Sequence, residues 1–406
     1  MFEAMASTII RATMPSSGFS RSDSETGTPR ATAGAVMDVF NKKKPEAAKG
    51  KNVKQPNRTA KTNVATEGST RSKRGKKKKD KGGDTTIAQA APAAQMHPAV
   101  QKWVERALTM GVPALRDEYR GLAKYTMEGM TMEAFQANQP QNRNRYQDVP
   151  CQDAKRVALK SPPAACDYVH ANYVGTPMSD KRFICTQGPL DNTIDEFWWL
   201  VWQEKAEQIV MLCNVIETGK FKCAQYWPLE VGEKRQVGGT QMTIEKIDCK
   251  PMEREPTIMI TNLKVTVGSE TRTIRQLQWL DWPDRGVPPC RLTSMELLSS
   301  IRGSKAPIVV HCSAGIGRTG TIVAIEYILE KISAGSDCMA MGELMKELRN
   351  QRAYSIQNDL QYLYIHRVML CYFLEKYKDK YAALLTEENT AKYKKFVEEY
   401  NAAVGQ

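Results

Sequence analysis

The chain has 406 residues, 41% of them hydrophobic, which suits a globular protein with one large domain or two to three of average size. Its net charge of +13 is concentrated: residues 1–95 hold 19 Lys and Arg against 8 Asp and Glu, so the remainder is close to neutral and a nucleic-acid-binding core is disfavoured. Ten cysteines without a CxxC pair, with only four histidines, exclude a zinc ligand set and the disulfide framework of a small secreted domain.

Residues 1–95 are rich in Ser, Thr, Ala, Gly and Lys and poor in large apolar side chains. Such a segment cannot bury enough surface to offset the entropy of ordering, so a disordered basic tail is expected. Its two basic clusters, at 42–44 and in "RSKRGKKKKDK" at 71–81, suit contact with acidic lipid, nucleic acid or an import receptor, and equally a solvated linker. The opening "MFEAMASTII" has Glu3 where a signal peptide wants basic charge, and no run of 18 apolar residues occurs. Neither secretion nor a transmembrane segment is expected. A reducing compartment, cytoplasm or nucleus, with free thiols and no metal or cofactor, is the simplest reading.

Ordered structure is expected from residue 96. "VQKWVERALTMGVPALRDEYRGL" has helical spacing, with Val100, Trp103, Val104 and Leu108 on one face. "KRFICTQGP" reads as a strand entering a loop. "NTIDEFWWLVWQEKA" reads as a helix, with Thr193 and Glu196 spaced as a capping box. "QIVMLCNV" is a short, continuously apolar strand of the buried kind, and "TIRQLQWLDWP" and "APIVVHC" supply further strands. Two helices, "RTGTIVAIEYILEKI" and "NDLQYLYIHRVMLCYFLEKY", complete an α/β domain over 96–378. Residues 379–406 read as a polar, partly helical C-terminal extension.

The stretch "HCSAGIGRTG" is therefore the turn between a buried strand and a helix. Such a turn aims backbone N–H groups inward, here from Ser313, Ala314, Gly315, Ile316 and Gly317, and the helix dipole adds positive potential. The result is an anion site with Cys312 at its base. The N–H groups and Arg318 favour the thiolate, which is the nucleophilic form. The planar fork of Arg318 suits two oxygens of a phosphate, as a Lys would not. The P-loop alternative lacks the Lys that follows its last glycine.

"HCSAGIGRTG" is closely similar to the signature of the tyrosine-specific, cysteine-dependent protein phosphatases. The resemblance spans about 280 residues, because "NRNRYQDVP", "YVHANYV", "TQGPLDNT", "FWWLVWQE", "KCAQYWP", "DWPDRGVP" and "QNDLQY" follow in the family's order. It implies a single phosphatase domain, with a central twisted mixed β-sheet flanked by helices, that acts on phosphotyrosine proteins as a monomer of the non-receptor type. Cys312 would be the nucleophile, Arg318 the phosphate clamp, and Asp284 the general acid and then base on a loop anchored by Trp282 and Pro283. Thr319 would stabilise the leaving thiolate, Gln357 would orient water, and Gln361, four residues on, would share its helical face beside the substrate. Tyr146 would stack on the phosphotyrosine ring, and Asp148 would accept hydrogen bonds from the substrate backbone. Glu217 would orient Arg318, Lys222 would approach the Asp284 loop, and His311 would hold the cradle. Gln147, Arg285 and Tyr354 depart from the commoner pattern, with consequences for specificity and loop closure. Two alternatives stay open at this point: a phosphotyrosine-binding module without turnover, and a dual-specificity phosphatase.

Overall fold

A computed structural model describes residues 98–160, 166–238, 241–336 and 338–406. The disorder and the basic clusters expected of residues 1–95 lie outside the described residues. Helix α1 (Pro98–Leu122) begins the described chain, with Trp103, Val104, Leu108 and Leu115 buried. It is interrupted rather than continuous: Gly111 sits at φ 65°, which only glycine adopts without strain, and Pro113 restarts the second half, where its missing N–H costs nothing. The apolar spacing runs across the break, so periodicity alone did not reveal it.

A nine-stranded mixed sheet forms the centre of the described residues. Its strands are β1 (Arg156–Ala158), β2 (Tyr168–Thr176), β3 (Ser179–Thr186), β4 (Gln208–Met211), β7 (Lys234–Val237), β8 (Met242–Pro251), β9 (Ile258–Val267), β10 (Glu270–Trp279) and β11 (Ile308–His311), in the order β1-β2-β3-β11-β4-β10-β9-β8-β7. A separate hairpin pairs β5 (Ile216–Glu217) with β6 (Lys220–Phe221). The four central strands, β3, β11, β4 and β10, are parallel, and the flanking pairs are antiparallel. Within them Val310 of β11 stands in register with Cys185 of β3 and Val210 of β4. Every residue of β11 is buried, as an apolar strand covered on both faces requires.

Helices α3 (Ile194–Gln203), α4 (Thr293–Ile301), α5 (Gly317–Ser333), α6 (Met341–Arg349) and α7 (Asp359–Cys371) flank the sheet, and the short α2 (Glu133–Ala137) precedes β1. The expected capping box of α3 is not formed. Thr193 turns its hydroxyl back to accept the Leu190 N–H at 2.9 Å, and Glu196, 3% exposed, is drawn 2.5 Å from Arg143 instead. A buried ion pair outcompeted a local cap.

Residues 379–406 carry α8 (Glu387–Val404), capped by the Thr386 hydroxyl, which accepts the Asn389 N–H at 3.1 Å. Phe396 and Tyr400, 1% and 0% exposed, join the core that also holds Trp103 and Phe373. Phe396→Ala is therefore expected to lower stability by about 3–5 kcal/mol in a urea titration. A loss under about 1 kcal/mol would mean that α8 is not part of the folding unit.

Candidate active site

The central parallel strand delivers Cys312 to the carboxyl edge of the sheet, and the chain then turns into the N-terminus of α5 at Gly317. Open α/β sheets bind ligands at this edge, where strands end and helices begin. Cys312 is 4% exposed, and its sulfur accepts the Gly315 N–H at 3.2 Å. Gly315 has φ 71°, and an added Cβ would lie 2.1 Å from the Thr186 carbonyl oxygen. Gly315→Ala is thus expected to displace the turn, with a stability loss of about 1–3 kcal/mol visible as a lowered melting temperature. An unchanged melting temperature would count against this geometry.

Arg318, six residues after Cys312 in the first turn of α5, is 4% exposed, with both terminal nitrogens 2.6 Å from the two carboxylate oxygens of Glu217. It also donates to the carbonyl of Leu212 at 2.7 Å and to that of Trp282 at 3.3 Å. Burial alone would pull the guanidinium pKa down. The Glu217 hydrogen bonds and the charges around it outweigh burial, and the pKa is raised. Arg318 is thus a fixed cation.

Asp284 belongs to the loop that follows β10. One carboxylate oxygen is 2.6 Å from Lys222 Nζ and the other 3.2 Å from Arg318 Nη2. Burial would raise its pKa, but Lys222, Arg318 and Arg285 outweigh burial and hold the carboxyl below its usual range. Its near neighbour Asp281 instead accepts the Trp279 indole N–H at 2.5 Å. The loop is anchored by Trp282, 2% exposed, whose ring meets Trp279 and Tyr364 and whose N–H reaches the Gly286 carbonyl at 3.1 Å.

Gln357 and Gln361 both reach the cradle, since a Cβ on Gly317 would lie 2.9 to 3.1 Å from their side-chain amides. They do not share a helical face, however. Gln357 precedes the cap residue Asn358, and its backbone N–H donates to Gln361 Oε1 at 2.8 Å. Asn358 also donates to the Arg285 carbonyl at 3.0 Å, which joins this turn to the Asp284 loop. Tyr146 reaches the cradle through a 2.8 Å hydrogen bond between its hydroxyl and Ser313 Oγ. Asp148 stands exposed two residues further on, as does Gln147. His311, fully buried, meets the Tyr226 hydroxyl at 2.9 Å and the Cys312 carbonyl at 3.3 Å. Thr319 Oγ1 is buried without a hydrogen-bond partner. Ala314 and Ile316 complete the turn, with Ile316 buried and its carbonyl accepting the Ile356 N–H at 3.0 Å. Tyr354 is half-buried at φ 61°, one residue before Ser355.

The site also contains a residue that the sequence reading passed over. Arg352 is fully buried and donates to the carbonyls of Gly315 and Ala314, both at 3.2 Å, while another nitrogen reaches Asn172 Oδ1 at 2.8 Å. Turning these two carbonyls toward Arg352 leaves the opposite edges of their peptides for the anion. The one available signal was an arginine five residues before Gln357, indistinguishable in sequence from a surface cation.

Among the described residues no cluster of three or more His, Cys, Asp or Glu could hold a metal ion, and no helix is long and apolar enough to cross a membrane.

The family model for protein-tyrosine phosphatases matches residues 140–371. Receptor-type tyrosine-protein phosphatase zeta of Homo sapiens is 32% identical over 278 residues, covering 64% of this chain and 12% of the relative. Tyrosine-protein phosphatase non-receptor type 9 of Rattus norvegicus is 32% identical over 290 residues, covering 67% and 48%. The chain thus spans half or less of the length of these curated relatives. The crystal structure of the catalytic domain of human protein tyrosine phosphatase non-receptor type 18 matches with a TM-score of 0.58 at 29% identity, covering 66% of this chain and 98% of that one. PTPN18 in complex with HER2 phosphopeptides matches with a TM-score of 0.62 at 30% identity, covering 68% and 99%.

Proposed function

Because this chain belongs to the protein-tyrosine phosphatase family, we propose that it hydrolyses phosphotyrosine in proteins through a cysteinyl-phosphate intermediate. The observation that carries the reading is the convergence of the Cys312 sulfur, the Glu217-fixed Arg318 and the Asp284 carboxylate on one cradle. The phosphopeptide complex of PTPN18 supports the substrate class.

In the first step the Cys312 thiolate attacks phosphorus; the S–P bond forms as the bond to the tyrosyl oxygen breaks. Arg318 and the cradle N–H groups hold the equatorial oxygens, where charge is spread. Asp284 gives its proton to the leaving phenolate. That role conflicts with a carboxyl held ionised in the free protein, and substrate resolves the conflict. A bound phosphate dianion engages Arg318 and lies against the carboxyl, and a neighbouring like charge raises a carboxylic pKa. In the second step Gln357 orients a water, Asp284 takes its proton, and the S–P bond breaks. The unpartnered Thr319 hydroxyl donates to the departing thiolate.

Tyr146 stands over the cradle entrance and sets its depth, so that a phosphoseryl side chain falls short of the sulfur. The test is phosphate release from matched phosphotyrosyl and phosphoseryl peptides, with acid quenching during turnover to trap a phosphoryl group on the Cys312 peptide. Release from the phosphotyrosyl peptide alone, with the trapped adduct, is the expected result. Equal release from both peptides would overturn the specificity, and turnover without an adduct would overturn the mechanism.

A further inference from the structure

A second sulfur cluster lies behind the acid loop and takes no part in the chemistry above. Cys290 stands six residues beyond Asp284, at the trailing end of that loop, and Cys371 is the last residue of α7. The two thiols are close enough for each to shift the pKa of the other. Cys290 Sγ is 3.9 Å from the carbonyl oxygen of Arg367, one turn earlier on α7. Cys290 is half-buried, whereas Cys371 is 5% exposed.

We propose that Cys290 and Cys371 are an oxidisable pair, which a peroxide joins as a disulfide that ties the acid loop to α7. The two thiols have different roles. Cys290 is the more accessible of the two, and the neighbouring Cys371 thiol and then Arg367 lower its pKa against the effect of burial. Cys371 is buried, and the neighbouring Cys290 thiol and then burial raise its pKa. Cys290 is therefore the attacking sulfur and Cys371 the resolving one. The Cys290 thiolate attacks a peroxide oxygen; an S–O bond forms, the O–O bond breaks, and hydroxide leaves as water once protonated. The Cys371 sulfur then displaces hydroxide from the sulfenic acid, giving the S–S bond and a second water. Two thiols are oxidised and one hydrogen peroxide is reduced to two waters. The other close pair, Cys213 and Cys223, lacks this access, since both are 1% exposed.

The bond would restrain catalysis through the loop. Trp282, the anchor of the loop, packs on Tyr364 of α7, so α7 touches both ends of the segment that carries Asp284. Fixing the trailing end limits the travel of the carboxyl and should act on kcat more than on KM.

The mapping arm of the test uses full-length Cys312→Ser, so that the catalytic sulfur consumes no oxidant. After limiting hydrogen peroxide, alkylation and digestion, a Cys290–Cys371 cross-linked peptide is expected, about 2 Da lighter than its parts. Two alkylated free thiols, or Cys290 sulfinic acid without a cross-link, would overturn the pairing. The kinetic arm treats wild type and Cys290→Ser with peroxide under saturating inorganic phosphate, which occupies the Cys312 cradle, then removes both. A fall in wild-type kcat of about threefold or more, spared in Cys290→Ser and reversed by dithiothreitol, is expected. A cross-link that leaves kcat unchanged would overturn the restraint. Only the kinetic arm rests on the phosphatase reading, so a failure of that reading leaves the mass result standing.

Discussion

Cys312→Ser is expected to lower kcat on a phosphotyrosyl peptide by at least about 10⁴-fold, with KM unchanged or reduced. Serine nearly preserves the volume, but a hydroxyl stays protonated near neutrality unless a base activates it. No base stands ready. The sulfur is surrounded by donors, the Gly315 N–H among them, and the one histidine nearby, His311, is engaged by the Tyr226 hydroxyl and the Cys312 carbonyl. Binding should survive, because the N–H groups and Arg318 remain. Phosphate release within tenfold of wild type would show that sulfur is not the nucleophile.

Asp284→Asn is expected to lower kcat on the same peptide by about 10²–10⁴-fold, the range for loss of a positioned acid. The amide keeps the shape of the carboxyl but has no proton to give to the phenolate and no base to offer the water. The measurement that separates chemistry from packing is the kcat–pH profile. The limb that falls as pH rises reports loss of the proton from the bound complex, and it should flatten in the variant. A retained limb would assign it to another group. The free protein carries an opposite signature. Its Asp284 pKa is depressed chiefly by Lys222 and then Arg318 against the effect of burial, so the ion pairs stabilise the loop above the ordinary carboxylate pKa. That stabilisation is lost as the pH falls through the depressed value.

The half of the fold that carries Cys312 was legible because it obeys simple patterns. β11 is a continuous apolar run, α5 follows a glycine-rich turn, and the catalytic groups come with their spacing. The antiparallel half was less so. β8 buries Lys246 and exposes Ile247, β9 buries Thr261, so polarity does not mark their inner face, and β5 and β6 have two residues each, too short for any period to show. Yet that hairpin carries Glu217 and leads into Lys222, which here were reachable only through resemblance. Where local rules failed, a long-range partner had won. Glu196 left its cap for Arg143, and Arg352, a surface residue by composition, is buried among carbonyls and Asn172. The glutamine pair misled for a local reason: Asn358 caps α7 one residue after Gln357, so the helix that would have aligned the pair starts too late.

The placement of β11 has a consequence for how the site breathes. Its backbone is bonded to β3 on one side and β4 on the other, so amides near Val310 can exchange with solvent only when the sheet itself comes apart. The Asp284 loop is instead held by a few side-chain contacts and can open alone. Deuterium should therefore enter the acid loop orders of magnitude sooner than the floor of the cradle. Cys312 would then be rooted in a slow-opening part of the molecule, and Asp284 in a quick one.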